Sequence, residues 1–67
     1  MPGLVKSFHY KSRAVEVRTS EVRGLYTWHY VIDGVMQYEL RQPGMRDEAL
    51  AIQEAEYDAR VKIDRMG

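Results

Sequence analysis

Hydrophobic and polar residues alternate from Ala14 to Val22 and again from Leu25 to Arg41. A period of two marks half-buried β-strands. In the first run Val15, Val17 and Thr19 share one parity, with Glu16 and Arg18 on the other. Arg23-Gly24 separates the runs as a turn; if Val22 pairs Leu25, then Val17 falls opposite Tyr30 and Val15 opposite Ile32. Within the second run, Asp33-Gly34 is a strong hairpin signal. A two-residue turn there would pair Ile32 with Val35 and set Trp28 and Tyr30 on the face of Gln37 and Glu39, which a buried sheet face does not tolerate. A three-residue loop, Ile32-Asp33-Gly34, removes the conflict, with Gly34 in the left-handed region that favours glycine. It pairs Val31 with Val35, Tyr30 with Met36, Trp28 with Tyr38 and Tyr26 with Leu40. Tyr26, Trp28, Tyr30, Met36, Tyr38 and Leu40 then line one face with the valines, and both hairpins agree on which face is buried.

The period changes after Gln42-Pro43-Gly44, where proline and glycine end the ladder. A proline-free stretch from about Arg46 to Met66 reads as one helix, with Asp47 and Glu48 at its positive end and Arg60, Lys62 and Arg65 at its negative end. Glu56–Arg60 and Asp58–Lys62 stand at the spacing of helical ion pairs. At about 100° per residue, Ile52, Ala55, Ala59, Ile63 and Met66 form one stripe, with Ala49 at its edge. Leu50, Tyr57 and Val61 lie on nearly the opposite side. The alanines let the first stripe sit close to a face crowded with aromatic rings. The second stripe is then left without a partner unless the N-terminal segment covers it.

The expected fold is therefore α+β: an antiparallel meander of three strands with one C-terminal helix across the aromatic face (β-β-β-α). Leu4 to Tyr10 has strand character, so residues 1–12 are either a fourth strand or a loose arm, with Met1-Pro2-Gly3 frayed. The chain reads as a single domain over 1–67, with the sheet at 14–42 and the helix at 46–66.

At 67 residues the chain buries only about 60% of the surface its unfolded form exposes, so it needs close packing or a partner. There is no cysteine to form a disulfide or bind zinc, and the histidines are His9 and His29 alone. No leader-like segment and no apolar run near about 18 residues is present, which points to a cytoplasmic protein. Net charge is zero. Residues 1–24 carry Lys6, Lys11, Arg13, Arg18 and Arg23 against Glu16 and Glu21; the helical stretch is acidic. Non-specific nucleic-acid binding needs clustered cations, and this balance disfavours it.

Catalytic chemistry finds little support. No hydroxyl sits at a Gly-x-Ser-x-Gly elbow, and the glycines are spaced as turns rather than as a phosphate cradle. His29 and Glu39 read as a strand histidine beside a strand glutamate, and Glu54 and Asp58 as a solvated helix face. No cofactor, metal or small-molecule substrate is implied. Two surfaces remain. Leu50, Tyr57 and Val61 form a candidate surface for a protein partner or a second copy. The outward sheet face carries Arg18, Thr27, His29, Gln37 and Arg41, residue types that read base edges, though Glu16, Glu39, Val31 and Val35 share it.

Trp28-x-Tyr30-x-x-Asp33-Gly34 leading into Asp47-Glu48-Ala49, Ala55 and Ala59 resembles the small three-stranded arm-type DNA-binding domains at the N-terminus of tyrosine recombinases. The element order is also similar to the last part of a double-stranded RNA-binding domain. Both resemblances span about residues 14–66, and both imply cations placed on phosphate. The second implies a basic helix start, where this chain has Arg46-Asp47-Glu48. Size and composition also look like those of many small bacterial and phage proteins, some of which dock on a host protein. The expected function is a small non-enzymatic interaction module, acting by self-association or by docking on a larger partner. The alternative is a DNA-binding module using the outward sheet face.

Overall fold

A computed structural model describes residues 5–40 and 44–66. It contains β1 (Val5–Tyr10), β2 (Arg13–Val22), β3 (Leu25–Ile32), β4 (Met36–Glu39) and α1 (Glu48–Arg65). The strands form one antiparallel sheet in the order β1-β2-β3-β4, and α1 packs across β2 and β3. The fold is α+β as expected, and residues 5–10 form the fourth strand. The fraying expected at Met1-Pro2-Gly3, and Arg41, Gln42 and Pro43 of the sheet exit, lie outside the described residues.

Among the described residues, the strands are joined by two-residue turns at Lys11-Ser12, Arg23-Gly24 and Asp33-Gly34. Both residues of each have positive φ, between 50° and 79°. That backbone matches the right-handed twist of the flanking strands. Between β2 and β3 the register is as expected, with Val22 opposite Leu25, Val17 opposite Tyr30 and Val15 opposite Ile32.

Between β3 and β4 the pairing differs from expectation by two residues. Tyr30 pairs Tyr38 and Ile32 pairs Met36, rather than Trp28 with Tyr38 and Tyr30 with Met36. Asp33 as well as Gly34 is left-handed, and the Val35 N–H donates to the Ile32 carbonyl at 3.1 Å. The tight turn therefore closes on Val35, which is then passed over as an extra, 76% exposed residue. This bulge reconciles a two-residue turn with the required parity. Contacts to β2 hold Asp33 in place: its N–H donates to the Ala14 carbonyl (2.8 Å), and its carboxylate accepts from the Ala14 N–H (3.0 Å) and Arg13 (2.8 Å). The Arg13 guanidinium, then the Ala14 N–H, holds the Asp33 carboxyl below the usual carboxylate range.

A shift of two leaves every side chain on its expected face. Val15, Val17, Trp28, Tyr30 and Ile32 from the sheet meet Ala51, Ala55, Ala59 and Ile63 from α1 in one buried cluster, with Phe8, Tyr10, Tyr26, Met36, Tyr38 and Leu40 packed around it. Trp28 is buried, and Tyr30 stacks between Trp28 and Tyr38 at centroid distances of 5.5 and 5.2 Å. Ala51 joins the core, whereas Ala49 is exposed.

The helix begins at Glu48 rather than Arg46, because Asp47 is its N-cap. Asp47 has extended backbone (φ −116°, ψ 120°), and its carboxylate accepts from the Ala49 N–H at 2.9 Å. Just before the helix, Met45 exchanges two backbone hydrogen bonds with Tyr26, at 2.5 and 2.7 Å. They bring the helix back onto the sheet.

Polar tips of core residues are satisfied from the helix. The indole N–H of Trp28 donates to Glu54 (2.9 Å), the Tyr30 hydroxyl to Asp58 (2.5 Å) and the buried Thr19 hydroxyl to Glu48 (2.7 Å). Glu54 and Asp58, expected on a solvated face, are half-buried acceptors for core aromatics. Asp58 also pairs with Lys62 at 3.1 Å, as the spacing predicts, but Glu56 pairs with Lys6 of β1 at 2.9 Å.

Burial, then the hydrogen bond to Asp58, pushes the Tyr30 phenol well above its ordinary range. Folding therefore holds the Tyr30 proton more tightly than unfolding does. Its contribution to stability is fully present below the unfolded pKa of about 10 and is lost as the pH rises above that value toward the folded one. In Tyr30→Phe the denaturation midpoint should fall less steeply from about pH 10 upward than in wild type. At neutral pH the variant should lose about 1.5–3 kcal/mol with its hydrogen bond to a carboxylate. Parallel alkaline slopes for the two proteins would refute this.

Candidate interaction surface

The two flanks of the helix differ. On the β1 side the gap between strand and helix is bridged by side chains. Lys6 reaches Glu56 (2.9 Å), and the Tyr10 hydroxyl (3.2 Å) and Lys11 (2.6 Å) both reach Asp64. Lys11 holds the Asp64 carboxyl below the usual range, and Asp64 in turn raises the Lys11 ammonium.

On the β4 side a cleft of about 770 Å³ lies between the helix and the strand. Tyr38, Leu40 and Tyr57 give it apolar walls, and Glu39, Glu54 and Asp58 give it carboxylates. Lys62 is the lysine on its lining; it pairs with Asp58 and lies 4.9 Å from the centre of the Tyr38 ring. Bond alternation along the ladder sets how the strand faces the cleft. Leu40 donates its N–H inward to the Trp28 carbonyl at 2.9 Å. In an antiparallel pair inward and outward groups alternate, so Gln37 and Glu39 turn their backbone N–H and C=O groups to the open side. Among the described residues nothing pairs with that edge.

Of the expected partner-binding residues, Leu50 and Tyr57 are 54% and 65% exposed, and Val61 is half-buried. The N-terminal strand extends the sheet edge instead of covering this side of the helix. Tyr57 also reaches the rim of the cleft. The cleft itself was not expected from the sequence. Its one advance signal was the short run between Asp33-Gly34 and Gln42-Pro43, which limits the last strand.

The expected nucleic-acid residues Arg18, Thr27, His29 and Gln37 do share the sheet face opposite the helix, while Arg41 lies outside the described residues. There Arg18 is bound to Glu16 at 2.9 Å, and His29 lies in register between Arg18 and Glu39. The Thr27 hydroxyl is directed to the Ser20 carbonyl at 3.5 Å. Arg18 is thus engaged by a carboxylate, and a second carboxylate stands beside the histidine.

Among the described residues no group of three or more His, Asp or Glu side chains could hold a metal ion, and no helix is long and apolar enough to cross a membrane. No family model, curated protein or solved structure matches the chain.

Proposed function

We propose that this protein is a non-enzymatic interaction module that docks on another protein through the cleft between β4 and α1. The observation that carries the reading is the cleft of about 770 Å³ with the exposed Tyr57 at its rim. Tyrosine offers a large, rigid, amphipathic contact surface, and such residues anchor many interfaces. Leu50 lies two helical turns before Tyr57 and widens the apolar area. Arg18 is engaged by Glu16, which speaks against phosphate binding on the opposite face.

Photo-crosslinking tests the reading. A benzophenone side chain in place of Tyr57 should give an adduct with another protein in the producing cell. The same group in place of Glu16, on the uncovered sheet face, should give none. Tyr57→Asp should abolish the complex while leaving the melting midpoint within a few degrees of wild type, as exposed positions do. Absence of an adduct at position 57, or an equal adduct at position 16, would overturn the reading.

A further inference from the structure

We propose that the ligand of this cleft is an extended, basic peptide segment that adds to the sheet as a fifth strand beside β4. The inference rests on the docking reading above and deepens it by giving the partner's conformation and charge.

The first argument is the unpaired edge. Exposed strand edges invite pairing with another chain, and proteins blunt them with short strands, bulges, inward-pointing charges or side chains laid across them. The edge at β1 is protected in this way. Lys6 is on its helix-facing side, and Lys6, Tyr10 and Lys11 close the space to the helix through Glu56 and Asp64. β4 is short and follows the Val35 bulge, but its helix-facing side chains, Met36 and Tyr38, carry no charge, and the cleft lies beside it. A strand laid against β4 would bond to the outward groups of Gln37 and Glu39. Its alternate side chains would point into the cleft, as in β-augmentation.

The second argument is charge. Glu39, Glu54 and Asp58 line the cleft against Lys62, three carboxylates to one lysine. Lysine and arginine have apolar stems and cationic heads. Such a side chain can lay its stem on Tyr57 and Leu40 and set its head near Glu54. An acidic strand would meet like charge on both sides.

The test uses the full chain and a short synthetic peptide alternating lysine and valine, followed by amide chemical shifts and hydrogen exchange. Binding should shift and protect the Gln37 and Glu39 amides and leave those of Ser7 and His9 on β1 unchanged. Methylating every second peptide nitrogen should abolish binding in the register that removes its donors to β4. Glu39→Lys should weaken binding about tenfold, and added salt should weaken it further. A peptide alternating glutamate and valine should not bind. Because the methylation arm leaves the protein untouched, a folding defect cannot imitate its result. Equal binding by the methylated or the acidic peptide, shifts centred on β1, or no binding would each overturn the fifth-strand assignment. If the peptide fails while the adduct at position 57 persists, the docking reading stands and only its strand geometry falls.

Discussion

Ala59→Leu should destabilise the fold by about 2–3 kcal/mol, at the upper end of what overpacking usually costs. Ala59 is fully buried in the cluster that includes Trp28, Tyr30, Ala55 and Ile63. Together with Ala51 and Ala55, also fully buried, it lets the helix backbone approach a sheet face carrying aromatic rings. An isobutyl group there has to lift the helix or drive the rings from their rotamers. Lifting the helix would also stretch the bonds from Trp28 to Glu54 and from Tyr30 to Asp58. In a domain this small the loss corresponds to a fall in melting midpoint of about 10–20 °C. Gln53→Leu, at an exposed position of the same helix, should change stability by less than about 0.5 kcal/mol. Equal, small shifts for both variants by thermal denaturation would show that the alanine stripe does not set the spacing between layers.

Gly44→Ala should have a comparable effect for a different reason. A Cβ on Gly44 would fall inside the van der Waals contact of the Tyr26 carbonyl oxygen and 2.7 Å from the carbonyl carbon. Both are backbone atoms of a central strand and cannot rotate away. Relief requires the chain at Gly44 to move out, and the two hydrogen bonds between Met45 and Tyr26 are at stake when it does. At about 0.5–1.5 kcal/mol for each bond, plus residual strain, a loss of about 2–3 kcal/mol is expected. Denaturant unfolding checks the size. Amide exchange checks the cause, because the Tyr26 and Met45 N–H groups should lose protection before the rest of the sheet. A variant with wild-type midpoint and unchanged exchange at those two amides would refute the close-approach argument.

What the sequence made legible here is parity. Alternation assigns each residue to a face, and Val15, Val17, Trp28, Tyr30 and Tyr38 all lie where it put them. Alternation is blind to a slip of two, since such a slip moves every pair and no face. The slip between β3 and β4 is decided by the backbone of Asp33, and that is set by Arg13 and Ala14 on another strand. The helix was legible for similar reasons: four of the five residues expected in its buried stripe, Ile52, Ala55, Ala59 and Ile63, are buried. Its carboxylates were not. Their role follows from a need on the sheet, because a buried indole or phenol requires an acceptor. Glu54 and Asp58 are one turn apart on the flank where Trp28 and Tyr30 point, so this need was the signal that could have found them. On the candidate site, Leu50 and Tyr57 were legible as exposed residues. The cleft was not, since it depends on which flank of the helix is bridged by side chains.

The order of strands in the sheet repeats their order in the chain. Each pairing within it closes a short loop, so little chain entropy is lost before contacts compensate. Sheets of this kind have low contact order and can assemble one hairpin at a time. The three turns are not equal as starting points, however. Arg23-Gly24 and Asp33-Gly34 each contain a glycine, for which a left-handed backbone carries no steric cost. Lys11-Ser12 asks two L-residues to adopt it, at roughly 1–2 kcal/mol per residue. Nucleation is thereby biased toward the hairpins of β2, β3 and β4, with β1 joining a sheet that already exists. The edge strand tied to the helix by Lys6 and Lys11 is thus the one whose hairpin carries the larger local cost.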